Sequence, residues 1–162
     1  MRTKRSLLGL CAALTMVPAL FAAQTAQAAS ASHGTLHGHV MTMPAAPEAA
    51  AHPATLLAVA PSASPAVRTA YAGAGGGVYC QSGYFCASVW DPTAGKFKIF
   101  FFYACDRYTL SNWIDWAEAQ NSQTGGAVAS LYGSGGGLLQ TIPADDAVYA
   151  VNWSPVYSIR NC

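Results

Sequence analysis

Any chemistry in the C-terminal half of this chain must come from its carboxylates. Asp91, Asp106, Asp115, Glu118, Asp145 and Asp146 are the acids between Gly77 and Cys162, and that stretch holds no histidine. The commonest general base and zinc ligand is therefore missing, and Ser-His-Asp and Cys-His nucleophile systems are excluded there. A glycosidase needs two carboxyls facing each other across a cleft. Asp115 and Glu118, three positions apart, would share a face on a helix but not on a strand. The others read as solvated turn residues. The run Gly133 to Gly137 lacks the Lys-Ser/Thr ending of a phosphate loop, so it reads as a hairpin turn. The expectation is a non-enzyme with no catalytic, cofactor-binding or metal-ligating set.

The cysteines carry the remaining chemistry, and the start of the chain says which. Met1 to Ala28 reads as a secretory leader: Arg2, Lys4 and Arg5, then an apolar run from Ser6 to Ala23, then Ala26-Gln27-Ala28 as a small-x-small cleavage site. Cys11 leaves with it. Cys80, Cys86, Cys105 and Cys162 remain, an even set in an oxidising compartment, and two disulfides are expected. Four cysteines allow three pairings and the sequence does not choose among them. The favoured one joins Cys80 to Cys86 across a Gln-Ser-Gly turn and Cys105 to Cys162. Without the leader, five Lys/Arg face seven Asp/Glu, a formal charge of −2. That balance argues against nucleic acid or anionic lipid as a partner. The expected product is extracellular and monomeric, with no stable membrane association after cleavage.

Positions 29–76 are rich in Ala, Pro and Ser, with Pro44, Pro47, Pro53, Pro61 and Pro65 spread through them. Proline removes backbone donors and alanine has little to bury, so a disordered linker or pro-segment is expected. All four histidines, His33, His37, His39 and His52, lie in it, and His37-x-His39 reads as incidental rather than as a metal site. The domain is expected over 77–162.

Within that domain the chain repeats itself. Cys86-Ala87-Ser88-Val89-Trp90 followed by Gly95 matches Val128-Ala129-Ser130-Leu131-Tyr132 followed by Gly137, at an offset of 42. Asn112-Trp113, Trp116 and Asn121 match Asn152-Trp153, Val156 and Asn161, at an offset of 40. Two copies of a unit of about 40 residues follow. Alternating apolar and aromatic runs predict strands over Tyr84–Trp90, Phe97–Tyr103, Trp116–Asn121, Val128–Tyr132, Leu138–Ile142 and Val156–Arg160. Asp91 to Gly95 reads as a turn, Asp106-Arg107 as a bend, and Trp113 to Trp116 as too short a run for more than the start of a helix. The architecture expected is all-β, two Greek-key units forming a small disulfide-stabilised β-sandwich.

The order Cys80-Gln-Ser-Gly-Tyr-Phe-Cys86, then Phe-Phe-Tyr103-Ala-Cys105, then Trp153-Ser-Pro-Val-Tyr-Ser-Ile-Arg-Asn-Cys162, resembles peptidase inhibitor family I36. This secreted actinobacterial group resembles the Streptomyces metalloproteinase inhibitor and has a βγ-crystallin-like fold. The resemblance covers Tyr79 to Cys162. It implies two Greek keys and inhibition of thermolysin-like metalloproteases, hence an extracellular protease as partner. The chain departs from the crystallin pattern in places. The Trp90–Gly95 hairpin is short, and the serine that often braces it is present as Ser158 but replaced by Glu118 in the first unit. The hydroxyl pair that completes crystallin calcium sites is absent after Asp145-Asp146, and Asp106-Arg107 lacks a second carboxylate. Calcium takes roughly six to eight oxygens, so it is not favoured as a cofactor.

An inhibitor of this kind needs a stiff loop rather than reactive groups. Three stretches qualify: the Cys80–Cys86 turn, Ala104–Arg107, and the loop after Asn121. No local motif marks the inhibitory one. Trp90, Tyr132, Trp113 and Trp153 recur at matched positions and read as core. Trp116 is replaced by Val156 in the other copy, which makes it the better candidate for a role outside packing. A different class of function, a non-inhibitory secreted module that binds cell-wall glycan or a protein, would use such a residue.

Overall fold

The computed structural model describes residues 39–48 and 58–162. Residues 1–28, read above as a leader, with Cys11, and also His33, His37 and His52, lie outside them. The described chain is all-β, with two five-stranded sheets packed as a sandwich and a two-stranded ribbon laid on one of them.

Each repeat supplies four strands. The first comprises β5 (Phe85–Asp91), β6 (Lys96–Phe102), β7 (Arg107–Ser111) and β8 (Trp116–Asn121). The second comprises β9 (Ala129–Tyr132), β10 (Leu138–Ile142), β11 (Val148–Asn152) and β12 (Ser158–Asn161). In each unit the first strand lies between the second and the fourth, while the third crosses to the opposite sheet. Thus β11 joins β8-β5-β6, and β7 joins β10-β9-β12. The exchange makes the two units one body.

The alternation of β5 and β6 builds the centre. Phe85, Ala87 and Val89 share a face with Phe100 and Phe102 across the ladder. Phe100 meets Trp113 at 4.6 Å between ring centroids and Phe102 meets Tyr108 at 4.8 Å, so this face packs on the second sheet. Trp113 and Trp153, matched residues of the two copies, meet edge-to-face at 4.8 Å. Burying such aromatics contributes roughly 1.5–3 kcal/mol each, which a small β domain needs.

The stretch before Gly77 corrects the sequence reading. Of the residues expected to be a disordered linker, β1 (Val40–Thr42), β2 (Ser62–Ser64) and β3 (Arg68–Ala72) are strands. β2 pairs with β7 and β3 with β6, so they cap the two edges of the sandwich next to the first unit. β1 pairs with β4 (Gly77–Tyr79) as the ribbon and lies against β8. Met41 and Met43 are buried in the core. This cover explains why Cys86, Ser88, Ile99 and Phe101, on the outer face of the first sheet, are buried too. Pro61 and Pro65 bracket β2, where a missing donor costs no ladder bond. The folded unit therefore includes much of 39–76.

Two smaller differences have local causes. The bend at Asp106-Arg107 leads at once into β7, and a strand, β11, follows Asp146. No helix opens at Trp113, because Asn112 and Asp115 sit in the left-handed region at φ 61° and 63°. No helix among the described residues is long and apolar enough to cross a membrane.

Candidate functional site

Three of the carboxylates are occupied with turns, while Asp146 Oδ1 is buried without a partner. Asp145 accepts the Ala147 N–H at 3.0 Å and the Tyr149 hydroxyl at 2.6 Å. These bonds hold its carboxyl below the usual range despite a small opposing effect of burial. Asp106 accepts the Arg107 N–H at 2.7 Å. Asp91, fully buried, accepts the Thr93 N–H at 2.9 Å, the Thr93 hydroxyl at 2.6 Å and the Tyr71 hydroxyl at 2.7 Å. Burial pushes its pKa up, but these donors and the Lys98 charge more than offset it, and the carboxyl stays lowered. Glu118 differs: burial raises its pKa, and its Oε2 is buried with no hydrogen-bond partner. Among the described residues no three His, Cys, Asp or Glu side chains converge as a metal site needs.

What the structure does assemble is one end of the sandwich. The three loops that the sequence marked separately meet there. The first is Gln81 to Tyr84, closed by the Cys80–Cys86 disulfide. The Gly83 N–H donates to the Ser122 carbonyl at 2.7 Å, and the Ser122 N–H donates to the Tyr84 carbonyl at 2.9 Å, which joins it to the loop after Asn121. Gly83 lies at φ 90°, and a Cβ there would stand 3.3 Å from Tyr103 Cε2. Glycine is needed both for that backbone and for the tyrosine ring lying on it.

The loop after Asn121 is fixed from beneath. The Asn121 amide donates to the Ile142 carbonyl at 2.8 Å and to the Ala127 carbonyl at 3.2 Å, while its Oδ1 accepts the Gln123 N–H at 3.1 Å. The Gln123 amide in turn donates to the Asn161 carbonyl at 3.0 Å.

The third loop, read from the sequence as Ala104–Arg107, runs from Tyr103 to Asp106 because Arg107 opens β7, and it is exposed along its length. Tyr103 is 68 % exposed and packs on Tyr84 at 5.1 Å between centroids. The Ala104 carbonyl accepts both the Tyr108 hydroxyl at 3.1 Å and the Asn161 amide at 3.2 Å. Burial, then the Asp106 charge, raise the Tyr108 pKa and keep that hydroxyl a donor. The Asp106 carbonyl accepts the Asn161 N–H at 3.0 Å. Cys105 is bonded to Cys162 at the end of β12, closing a separation of 57 residues. In the chain-entropy account a loop of that length stabilises by about 4 kcal/mol.

This end presents the Tyr103 phenol, the Tyr84 ring, the Asp106 carboxylate, small residues, amides and backbone carbonyls, and its cysteines are oxidised. Asn121 and Asn161, matched by the repeat, are the residues that tie the loops together, and the matching marked them. The exposed position of Tyr103 was not legible, because Tyr103 continues the alternation of β6 and reads as its last residue. Comparison with protein-family models, curated proteins and solved structures finds no match for this chain.

Proposed function

We propose that this chain is a secreted proteinaceous inhibitor of an extracellular metalloprotease, and that its sandwich is a pair of βγ-crystallin-like Greek keys. The observation that carries the reading is the Tyr103–Asp106 loop. It is exposed along its length, yet both its carbonyl contacts and its disulfide hold it in one conformation. A loop already ordered before binding loses little entropy on entering a cleft, and it resists the rearrangement that cleavage requires. Tyr103 supplies an aromatic anchor of the kind that dominates interfaces. Two disulfides suit an oxidising, extracellular setting.

The test is a titration of the purified, oxidised protein against thermolysin-like, subtilisin-like and trypsin-like proteases. Stoichiometric inhibition of the metalloprotease is expected, weakened at least about tenfold by Tyr103→Ala with the melting temperature preserved. An intact, oxidised protein that inhibits none of them at micromolar concentration overturns the proposal.

A further inference from the structure

Trp116 stands at the far end of β8 from the disulfide-tied loops. It is 64 % exposed. Two residues on, Glu118 shares its outward face. Across the ladder on edge strand β11, Asn152 pairs with Trp116 and Ala150 with Glu118. The Asn152 Oδ1 accepts the Ser154 N–H at 3.1 Å, and its amide NH2 has no partner among the described residues. Glu118 Oε2 is buried without a partner, and the other oxygen of its carboxylate, which is not buried, takes no hydrogen bond among the described residues. The Glu118 backbone is clamped by the Ser88 hydroxyl, which accepts from its N–H and donates to its carbonyl, both at 3.0 Å. Ala150, on that edge strand, is exposed and small.

The second unit is an internal control. At the matched positions it has Val156, buried, and Ser158, whose hydroxyl accepts from Arg107 at 3.1 Å. One copy of the unit folds without the indole or the carboxylate, so packing does not require either.

A planar apolar platform flanked by an idle acceptor and an idle donor matches one ligand chemistry well. The apolar face of a pyranose stacks on an indole, and its hydroxyls both donate and accept. A lysine side chain would leave the asparagine amide unused, and a purely apolar partner would leave both polar groups unused. The carboxylate disfavours acidic sugars by like-charge repulsion. We propose that Trp116, Glu118 and Asn152 form a binding site for a neutral polysaccharide. The site stands independently of the inhibitor reading. β8 rises about 3.3 Å per residue, which places it on the order of 16 Å from Asn121. The protein can thus hold a glycan while the loop end stays free.

The full, oxidised chain is mixed with insoluble chitin, cellulose and xylan, and with polygalacturonate as the acidic control. Tryptophan fluorescence is followed during titration with chitotetraose and cellotetraose. Retention on at least one neutral polymer is expected, with an affinity loss of about tenfold or more in Trp116→Val and several-fold in Asn152→Ala. Valine is the residue the second unit carries there; if that variant nonetheless melts early, Asn152→Ala decides. Failure to retain any neutral polymer, retention unchanged by both substitutions, or equal retention on polygalacturonate overturns the site.

Discussion

The two units share a strand plan, but their surroundings differ. Around the first, β2 covers the edge of β7, β3 covers the edge of β6, and the β1–β4 ribbon lies over the outer face. Around the second, β10 and β11 end their sheets, and Leu138, Leu139 and Val148 are exposed. The hairpins differ in the same way. The first is braced by Asp91, which holds both its own turn and Tyr71 of β3. The second has Gly133 at the matched place and closes with backbone bonds alone. One duplicated plan thus tolerates a dressed copy and a bare one, and the dressing comes from the segment before the repeats.

If that dressing is structural, removing it has the largest effect of any change considered. A chain starting at Gly77 loses the Met41 and Met43 packing, the Tyr71–Asp91 bond, the Lys98 bond to the Pro61 carbonyl at 2.9 Å and the Trp113 bond to the Ser62 carbonyl at 2.8 Å. Each buried methionine alone is worth about 2–5 kcal/mol against alanine, in a fold whose total stability is expected to be about 5–15 kcal/mol. The truncated protein should show no cooperative melting by circular dichroism. A fragment that melts as the full chain does would make the first unit as self-sufficient as the second.

This is also where the sequence was least informative. Six of the eight strands in the repeats were legible as apolar and aromatic runs, while β7 and β11 were read only as a bend and a turn. β2 and β3 carry no such signal. Ser62-Ala63-Ser64 and Arg68-Thr69-Ala70-Tyr71-Ala72 are small and polar, and they become strands because an existing edge offers them partners. That is a property of the edge, and composition read alone gives only a proline-rich linker. The loop end was legible in part. The cysteines and the matched asparagines pointed to it, but the meeting of three loops depends on contacts distant in sequence.

The tryptophan pair probes the comparison at one matched position. Trp113 Nε1 donates to Ser62 of the dressing, whereas Trp153 Nε1 is buried with no partner. Phenylalanine at either site loses similar ring volume. Trp113→Phe also loses the hydrogen bond to the Ser62 carbonyl, while Trp153→Phe removes an unsatisfied donor. The first should therefore be the more destabilising by about 1 kcal/mol or more in urea unfolding. Equal losses would mean that the Ser62 contact adds nothing to the first unit.

The smallest effect is a difference in pH dependence. Burial raises the Glu118 pKa in the folded protein, so the folded state holds that proton more tightly than the unfolded chain does. Its contribution makes stability fall as pH rises from the ordinary glutamate range through the raised value, then level off. Serine, the matched residue of the second unit, has no such proton. Glu118→Ser should therefore gain on the wild type as pH rises through that window, and the two melting curves should converge below it. Asp91 acts in the opposite sense: its pKa is lowered, so the stability it lends is present above the unfolded value and is lost as pH falls through the folded one. Asp91→Asn should accordingly be most harmful near neutrality and least harmful in acid. Both groups belong to the first unit, so a difference curve that stayed flat in both variants would mean that neither carboxyl distinguishes the copies by its titration.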